Sequence, residues 1–245
     1  MYKDKKIAVV VPAYNEEKLI SFVIQGMPVY VDCIYAIDDG STDRTQKIIQ
    51  TLAADNPRLK IIIHPQNFGV GAAVFSGYQQ ALADGVDVAV VMAGDNQMEH
   101  RHLPLLLDPL IENKADYAKG DRLSIKDYSM GMNKWRRFGN YMLTWLTRLA
   151  ASNFSINDPQ NGYTAINRRG LELLTKKGFY TGYGYCNDVL VKLSSFSLKI
   201  IEIPIPARYG SEESKIRYHS YIPKVSWLLL NLYLWRLKNG INLAE

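Results

Sequence analysis

The chain has 245 residues, 47% hydrophobic and 22% charged, an ordinary globular balance with enough length to bury a sizeable core. Its formal net charge of +5 suits an anionic ligand or an anionic membrane surface, while the lack of a compact Lys/Arg block argues against a nucleic-acid partner. Cys33 and Cys186 are its two cysteines, far apart and without a CxxC partner, so neither a zinc site nor a disulfide framework is indicated.

Met1 to Lys6 runs directly into a strand, and the apolar stretch that follows breaks at Pro12 without a cleavage-site pattern. That reads as no signal peptide and a cytoplasmic location. Ile7 to Val11 is a continuous, mostly β-branched run, the signature of a buried parallel strand ended by Pro12. Glu16 and Glu17 suit the first turn of a helix, and Leu19, Ile20, Phe22, Val23 and Met27 recur at helical spacing. Val31 to Ile37 reads as a second strand, ending in Asp38-Asp39-Gly40-Ser41-Thr42-Asp43. Gly40 permits a tight turn, and Ser41 or Thr42 is expected to cap the next helix. Asp38 and Asp39 repel phosphate, so they suit a base, a ribose, a metal or simply the turn.

Leu59 to Ile63 is a third strand, and Asn67-Phe68-Gly69-Val70-Gly71 opens another helix. Its small residues allow close approach at a helix N-terminus, which favours anions. The spacing is neither GxGxxG nor a Walker loop, so a Rossmann cofactor or an ATPase site is not read here. Val86 to Met92 is a buried strand stopping at Ala93-Gly94-Asp95-Asn96-Gln97. Asp95 and Gln97 are oxygen ligands suited to a hard divalent cation, or Asp95 is a turn cap. The alternation of strand and helix predicts an α/β sheet with a nucleotide-sized site at its carboxyl edge.

His100 to Asn113 is expected to be helical, and Ala115 to Ala118 a short strand leading to Arg122, a good bidentate phosphate ligand. Trp135, Phe138, Met142, Trp145 and Leu149 form an apolar stripe on a helix that also carries Lys134, Arg136, Arg137 and Arg148. Such a helix lies on an anionic bilayer or packs in the core. Asp158 to Tyr163 is turn-rich and precedes a strand containing Ala165 and Ile166. Tyr180 to Tyr185 alternates glycine and tyrosine, Asn187-Asp188 opens a further apolar-periodic segment, and Ile200 to Ile205 is strand-like. Arg208 to Lys215 is a mixed-charge loop expected to move, with Arg208 and Lys215 able to close over a phosphate. Tyr221 to Lys238 is a helix too short in its apolar run to span a bilayer, bracketed by Lys224 and Arg236. It docks on the membrane interface, on a second copy in a homodimer, or in the core.

Taken in order, Val11 to Glu16, Asp38 to Asp43, Asn67 to Gly71, Ala93 to Gln97, Gly120-Asp121-Arg122, and Arg208-Tyr209-Gly210 through Lys215 resemble the family 2 glycosyltransferases of the GT-A fold. Within them the likeness is to the polyprenyl-phosphate (dolichyl-phosphate) sugar synthases, over about residues 6 to 220. The resemblance implies a Rossmann-like, mixed and mainly parallel α/β sheet over residues 1–220, with residues 221–245 as a docking helix. It implies inverting transfer of a sugar from a nucleotide diphosphate to a polyprenyl phosphate at a membrane surface, on the cytoplasmic face. Pro12, Tyr14, Glu16, Ile37, Asp39, Ala93, Gly94, Asp95, Arg208 and Lys215 would hold the nucleotide sugar. Asp95 and Gln97 would hold Mg²⁺ or Mn²⁺, and Arg122, Arg137 and Lys215 the acceptor phosphate. Asp95, Arg122 and Asp188 are the implied catalytic set, Asp188 being the base if one is needed. Two departures stand out: Ala93 replaces the first Asp of the family's Asp-x-Asp motif, and Arg208 to Lys215 is slightly longer than the pattern. The competing readings are a same-fold transferase with a saccharide hydroxyl acceptor and Asp188 as base, and a non-catalytic nucleotide-sugar-binding protein.

Overall fold

The computed structural model describes residues 1–125, 134–206 and 218–239, without the side chains of 134–138 and 218–220. A sheet of seven strands lies between helices. The strands are β1 (Ile7–Ala13), β2 (Cys33–Asp38), β3 (Leu59–Ile63), β4 (Val88–Val91), β5 (Tyr117–Asp121), β6 (Thr164–Asn167) and β7 (Ile200–Pro204). Their order is β3-β2-β1-β4-β6-β5-β7. All pairings are parallel except the two that β6 makes, with β4 and with β5. β1 and β2 are buried along their whole length, as expected of strands covered on both faces.

The helices are α1 (Ile20–Gln25), α2 (Thr45–Ala54), α3 (Val70–Ala83), α4 (Leu103–Ile111), α5 (Lys134–Ala151), α6 (Arg168–Lys177), α7 (Tyr185–Ser195) and α8 (Tyr218–Lys238). One face of the sheet packs Ile7, Val9, Val11 and Val90 against Ile20, Leu103 and Leu107 of α1 and α4. The other packs Val10, Tyr35 and Val91 against Val74, Leu143, Leu190 and Leu229 of α3, α5, α7 and α8. Helix α8 is therefore joined to the same core as α5 and α7, rather than standing apart from it.

The structure corrects several local expectations. Strand β1 continues through Pro12 to Ala13. Its neighbour β4 has already ended opposite Val10, so the missing Pro12 amide costs the ladder little. Neither Ser41 nor Thr42 caps α2; that helix starts at Thr45, whose amide donates to Asp43 Oδ1 at 2.9 Å. Helix α6 was not expected, because it is polar apart from Leu171, Leu173 and Leu174. Its caps are nonetheless regular: Asn167 accepts from the Gly170 amide, and Gly178 ends it at φ 67°.

The apolar stripe predicted for α5 is split: Met142 packs against the core, and the side chains of Trp135 and Phe138 lie outside the described residues. Leu143, Thr147 and Ala150 are buried, while Trp145 and Leu149 point outward with Tyr141. Helix α8 likewise buries Val225, Leu229 and Leu232 and exposes Trp227, Leu230, Leu234 and Leu237. Arg236, one of the two charges that bracket its apolar run, is buried. Among the described residues no helix is long and apolar enough to cross a membrane.

Candidate active site

The strand order reverses between β1 and β4, and in open α/β sheets ligands sit at the carboxyl ends of strands at such a point. Here a cavity of about 150 Å³ opens there. Pro12 follows from β1, Val91 and Ala93 from β4, and Arg122 from β5. Val70 at the start of α3, Tyr185 and Cys186 at the start of α7, and Gln160 and Tyr183 also line the cavity. Helix α8 reaches the cavity through Tyr221, whose hydroxyl donates to Gln160 Oε1.

The Tyr14 to Glu17 segment is stitched to the turn after β2. The Asn15 amide donates to Ser41 Oγ at 3.0 Å, the Glu16 amide to Thr45 Oγ1 at 2.7 Å and the Glu17 amide to Asp43 Oδ2 at 3.2 Å. In return, Asn15 Oδ1 accepts from the Thr42 amide at 2.8 Å. Asn15 adopts φ 53°, a left-handed conformation that asparagine tolerates. Ser41 therefore serves a neighbouring loop and not its own helix.

Asp39 is almost fully buried and saturated with donors. Oδ1 accepts from the Phe68 amide at 3.0 Å and faces His64 Nδ1 at 2.7 Å, and Oδ2 accepts from the Gly69 amide at 2.8 Å. The Ala72 amide donates to the Thr181 carbonyl at 3.2 Å. So the N-terminus of α3, expected to attract an external anion, is filled by the chain's own carboxylate and carbonyl. The close approach that its glycines permit is by backbone: a Cβ on Gly71 would lie 2.2 Å from the Tyr180 carbonyl oxygen. Asp38 differs, because both its oxygens are buried without a hydrogen-bond partner.

Just beyond β4, the Met92 amide donates to the Val10 carbonyl at 2.9 Å and the Gly94 amide to the Pro12 carbonyl at 3.0 Å. A Cβ on Gly94 would be 3.0 Å from Ile20 Cδ1, so the turn runs tight over α1. Asn96 is left-handed at φ 57°, and Asp95 Oδ1 accepts from the Gln97 amide at 3.1 Å. Asp95 and Gln97 are thus held in one turn, both partly exposed.

Four of the predicted residues, Tyr14, Glu16, Asp39 and Asp95, lie around one that the sequence did not single out. Partial burial, with the carboxylates of Glu16, Asp95 and Asp39 around it, raises the Tyr183 phenol above its ordinary value. Tyr183 therefore shares one electrostatic neighbourhood with Tyr14, Glu16, Asp39 and Asp95, and it also lines the cavity. Glycines on either side mark it in the sequence as a loop residue, with nothing to show what the loop lies against.

Other predicted residues are placed elsewhere. Ile37 is fully buried in the core with Val74 and Tyr78. Asp188 lies beneath the loop from Phe179 to Gly184, accepting from the Tyr180 amide at 2.6 Å and from Lys192 Nζ at 2.9 Å. It is not among the residues lining the cavity. Burial raises its carboxyl above the ordinary range, against the lowering effect of Lys192. Arg122 pairs with Asp158 through Nε at 2.7 Å and Nη2 at 2.9 Å. Arg208 and Lys215, with the loop between them, lie outside the described residues, as does the Arg137 side chain.

No group of three or more His, Cys, Asp or Glu side chains suited to a metal occurs among the described residues. The site fits a hard divalent cation only if Asp95 and Gln97 are supplemented by ligand phosphates and water, a mode that Mg²⁺ commonly uses.

The sequence profile of glycosyl transferase family 2 matches residues 8–174. The chain is 30% identical over 219 residues to a UDP-N-acetylglucosamine–dolichyl-phosphate N-acetylglucosaminyltransferase of Methanococcus voltae, covering 84% of this chain and 87% of that one. It is 24% identical to the undecaprenyl-phosphate mannosyltransferase of Micrococcus luteus, over 82% of each. Among solved structures, glucosyl-3-phosphoglycerate synthase from Mycobacterium tuberculosis in complex with Mn²⁺, uridine diphosphate and glucosyl-3-phosphoglycerate superposes with a TM-score of 0.69 at 21% identity. That match covers 95% of this chain and 80% of the other, and shows a shared fold. With a matched profile over more than half its length and the fold to go with it, the chain belongs to glycosyltransferase family 2.

Proposed function

We propose that the protein transfers a sugar, with inversion, from a nucleotide diphosphate to a polyprenyl phosphate. The observation that carries this reading is the composition of the cavity: Arg122 among apolar, aromatic and amide side chains, with no carboxylate among its described lining residues. The relatives named for dolichyl- and undecaprenyl-phosphate transfer support it. A phosphate monoester has a second pKa of about 6, so the acceptor is already largely ionised at neutral pH and needs no strong base. The protein's task is to align that anion with the anomeric carbon and to stabilise the departing diphosphate.

In this reading Pro12, Tyr14, Glu16, Asp39 and the Ala93 to Asp95 turn shape the donor site. Asp95 and Gln97 hold Mg²⁺ or Mn²⁺, which when bound neutralises charge on the leaving group. Asp39 acts by fixing the start of α3, and Tyr183 covers the donor from the opposite side. Arg122 binds the acceptor phosphate; Arg137, Arg208 and Lys215 are assigned to phosphate by the family resemblance alone. The engagement of Asp188 with Tyr180 and Lys192 favours a loop-anchoring role over that of a base.

The outward apolar residues of α5 and α8 suit peripheral docking on a bilayer, where a lipid acceptor resides, and the net positive charge suits its anionic cytoplasmic face. The test is transfer of radiolabel from a panel of UDP- and GDP-sugars to dolichyl and undecaprenyl phosphate, with Mg²⁺ or Mn²⁺. Asp95→Asn is expected to abolish transfer. Near-normal transfer by that variant would remove the metal role.

A further inference from the structure

Arg122 is not an independent side chain. Asp158, fully buried, accepts from its amide at 3.1 Å, from Nε at 2.7 Å and from Nη2 at 2.9 Å. Backbone and guanidinium are thus gripped by one carboxylate. Asp158 is in turn held from behind. Lys119 of β5, fully buried, donates through Nζ to the Asp158 carbonyl. Glu202 of β7 accepts from the amides of Asn157 at 2.5 Å and Asp158 at 3.3 Å, and lies 3.4 Å from Lys119 Nζ. Two largely buried ion pairs, Lys119–Glu202 between β5 and β7 and Arg122–Asp158 just past β5, therefore meet at one loop residue behind the cavity that Arg122 lines.

Buried pairs of this kind are weak sources of net stability, because desolvation offsets much of their attraction. Their value here is geometric. A free arginine loses substantial rotamer freedom when it binds a ligand, and one already fixed in a planar fork loses less. We propose that Asp158 is a positioning residue for the transfer reaction: it presents Arg122 to the acceptor phosphate in one orientation, and the Lys119–Glu202 pair fixes Asp158. The proposal rests on the reading of Arg122 as the acceptor-phosphate ligand.

Charge alone predicts the opposite effect. Asp158 is an anion beside a site for an anion, so neutralising it would tighten acceptor binding if electrostatic attraction were all that mattered. Positioning predicts that neutralising it weakens binding. Asp158→Asn keeps the volume but turns one acceptor into a donor facing the fork.

The experiment measures KM for polyprenyl phosphate and for the nucleotide sugar, kcat and the melting temperature in full-length Asp158→Asn, Arg122→Ala and the double variant. The expected result is an acceptor KM raised on the order of tenfold in Asp158→Asn, with the donor KM little changed. The double variant should be no worse than Arg122→Ala. An acceptor KM that is unchanged or lowered in Asp158→Asn, or effects that add in the double variant, would overturn the proposal. If Asp158→Asn fails to fold, Arg122→Lys carries the test: it keeps the charge but not the fork, and full retention of acceptor KM would overturn the proposal. An Arg122→Ala enzyme with normal acceptor KM would instead remove the underlying assignment of Arg122.

Discussion

The Asp188 carboxylate reaches across the base of a loop to accept the amide of Tyr180 at 2.6 Å, and Lys192 Nζ stands 2.9 Å from the same oxygen. This ties the start of α7 to the segment that carries Tyr183 into the site. An anchor and a base respond differently to substitution. Asp188→Asn retains an oxygen that can accept from Tyr180, so its kcat should stay within about tenfold of wild type, each tenfold being about 1.4 kcal/mol of barrier. Asp188→Ala should lose more and raise the donor KM. Steady-state kinetics of the two variants decides the matter; a dead Asp188→Asn enzyme with an unchanged melting temperature would indicate a base.

The same end of that loop lies against the start of α3. Gly71→Ala would drive a methyl group into the Tyr180 carbonyl, and Gly69, at φ 100°, would clash with Thr181. Either substitution should displace the Tyr180 to Gly184 segment at a cost of about 1–3 kcal/mol. The expected signature is a lower melting temperature with a raised donor KM, read by thermal denaturation and kinetics together.

Asp39 accepts from two backbone amides and faces His64, so an amide in its place would put a donor against donors. Asp39→Asn should destabilise the fold by about 1–3 kcal/mol and weaken donor binding through the start of α3. Denaturant melts and calorimetric titration of the nucleotide measure the two effects separately.

The Asp158–Arg122 pair also sets a pH dependence. Burial by itself raises the Asp158 carboxyl, but the Arg122 guanidinium, with Lys119 behind it, brings it below the ordinary range. A carboxyl depressed in the folded state contributes stability above its unfolded pKa of about 3.9, and loses it as pH falls through the lower folded value. The stability advantage of wild type over Asp158→Asn should therefore be constant near neutrality and shrink on acidification below about pH 4. Chemical denaturation across that range follows it.

Helices α5 and α8 expose Trp145, Leu149, Trp227 and Leu234. Replacing Trp145 and Leu234 together by Glu should lower the fraction of protein floating with anionic vesicles by at least about tenfold, since each buried side chain contributes about 1.5–3 kcal/mol. Transfer to a short-chain, water-soluble acceptor phosphate should survive. Unchanged flotation would show that this face does not meet lipid.

Much of the sheet was legible because its strands are continuous β-branched runs such as Ile7 to Val11, which admit few alternatives. Some strand ends were legible too, since β2, β4 and β5 run into Asp38-Asp39, Gly94-Asp95 and Asp121-Arg122. What the sequence hid were relationships made by tertiary approach. Asp158 reads as a turn residue, and its partner Arg122 lies 36 positions upstream. Tyr183 gains its place only because Tyr180 and Thr181 lie on the glycines of α3. Trp145 and Leu149 of α5 share the spacing of a buried stripe, so spacing alone does not say which face the core takes. Helix α6 had too few apolar residues to stand out, although Asn167 and Gly178 marked both its ends.

In the proposed reaction the acceptor arrives already charged. Labelled nucleotide sugar offered to equal amounts of a polyprenyl phosphate and the polyprenol of the same length tests it directly. Label entering the phosphate and not the alcohol, with loss of that transfer in Arg122→Ala, is the expected result. Label entering the alcohol equally well, or no label entering the phosphate with any UDP- or GDP-sugar, would contradict it.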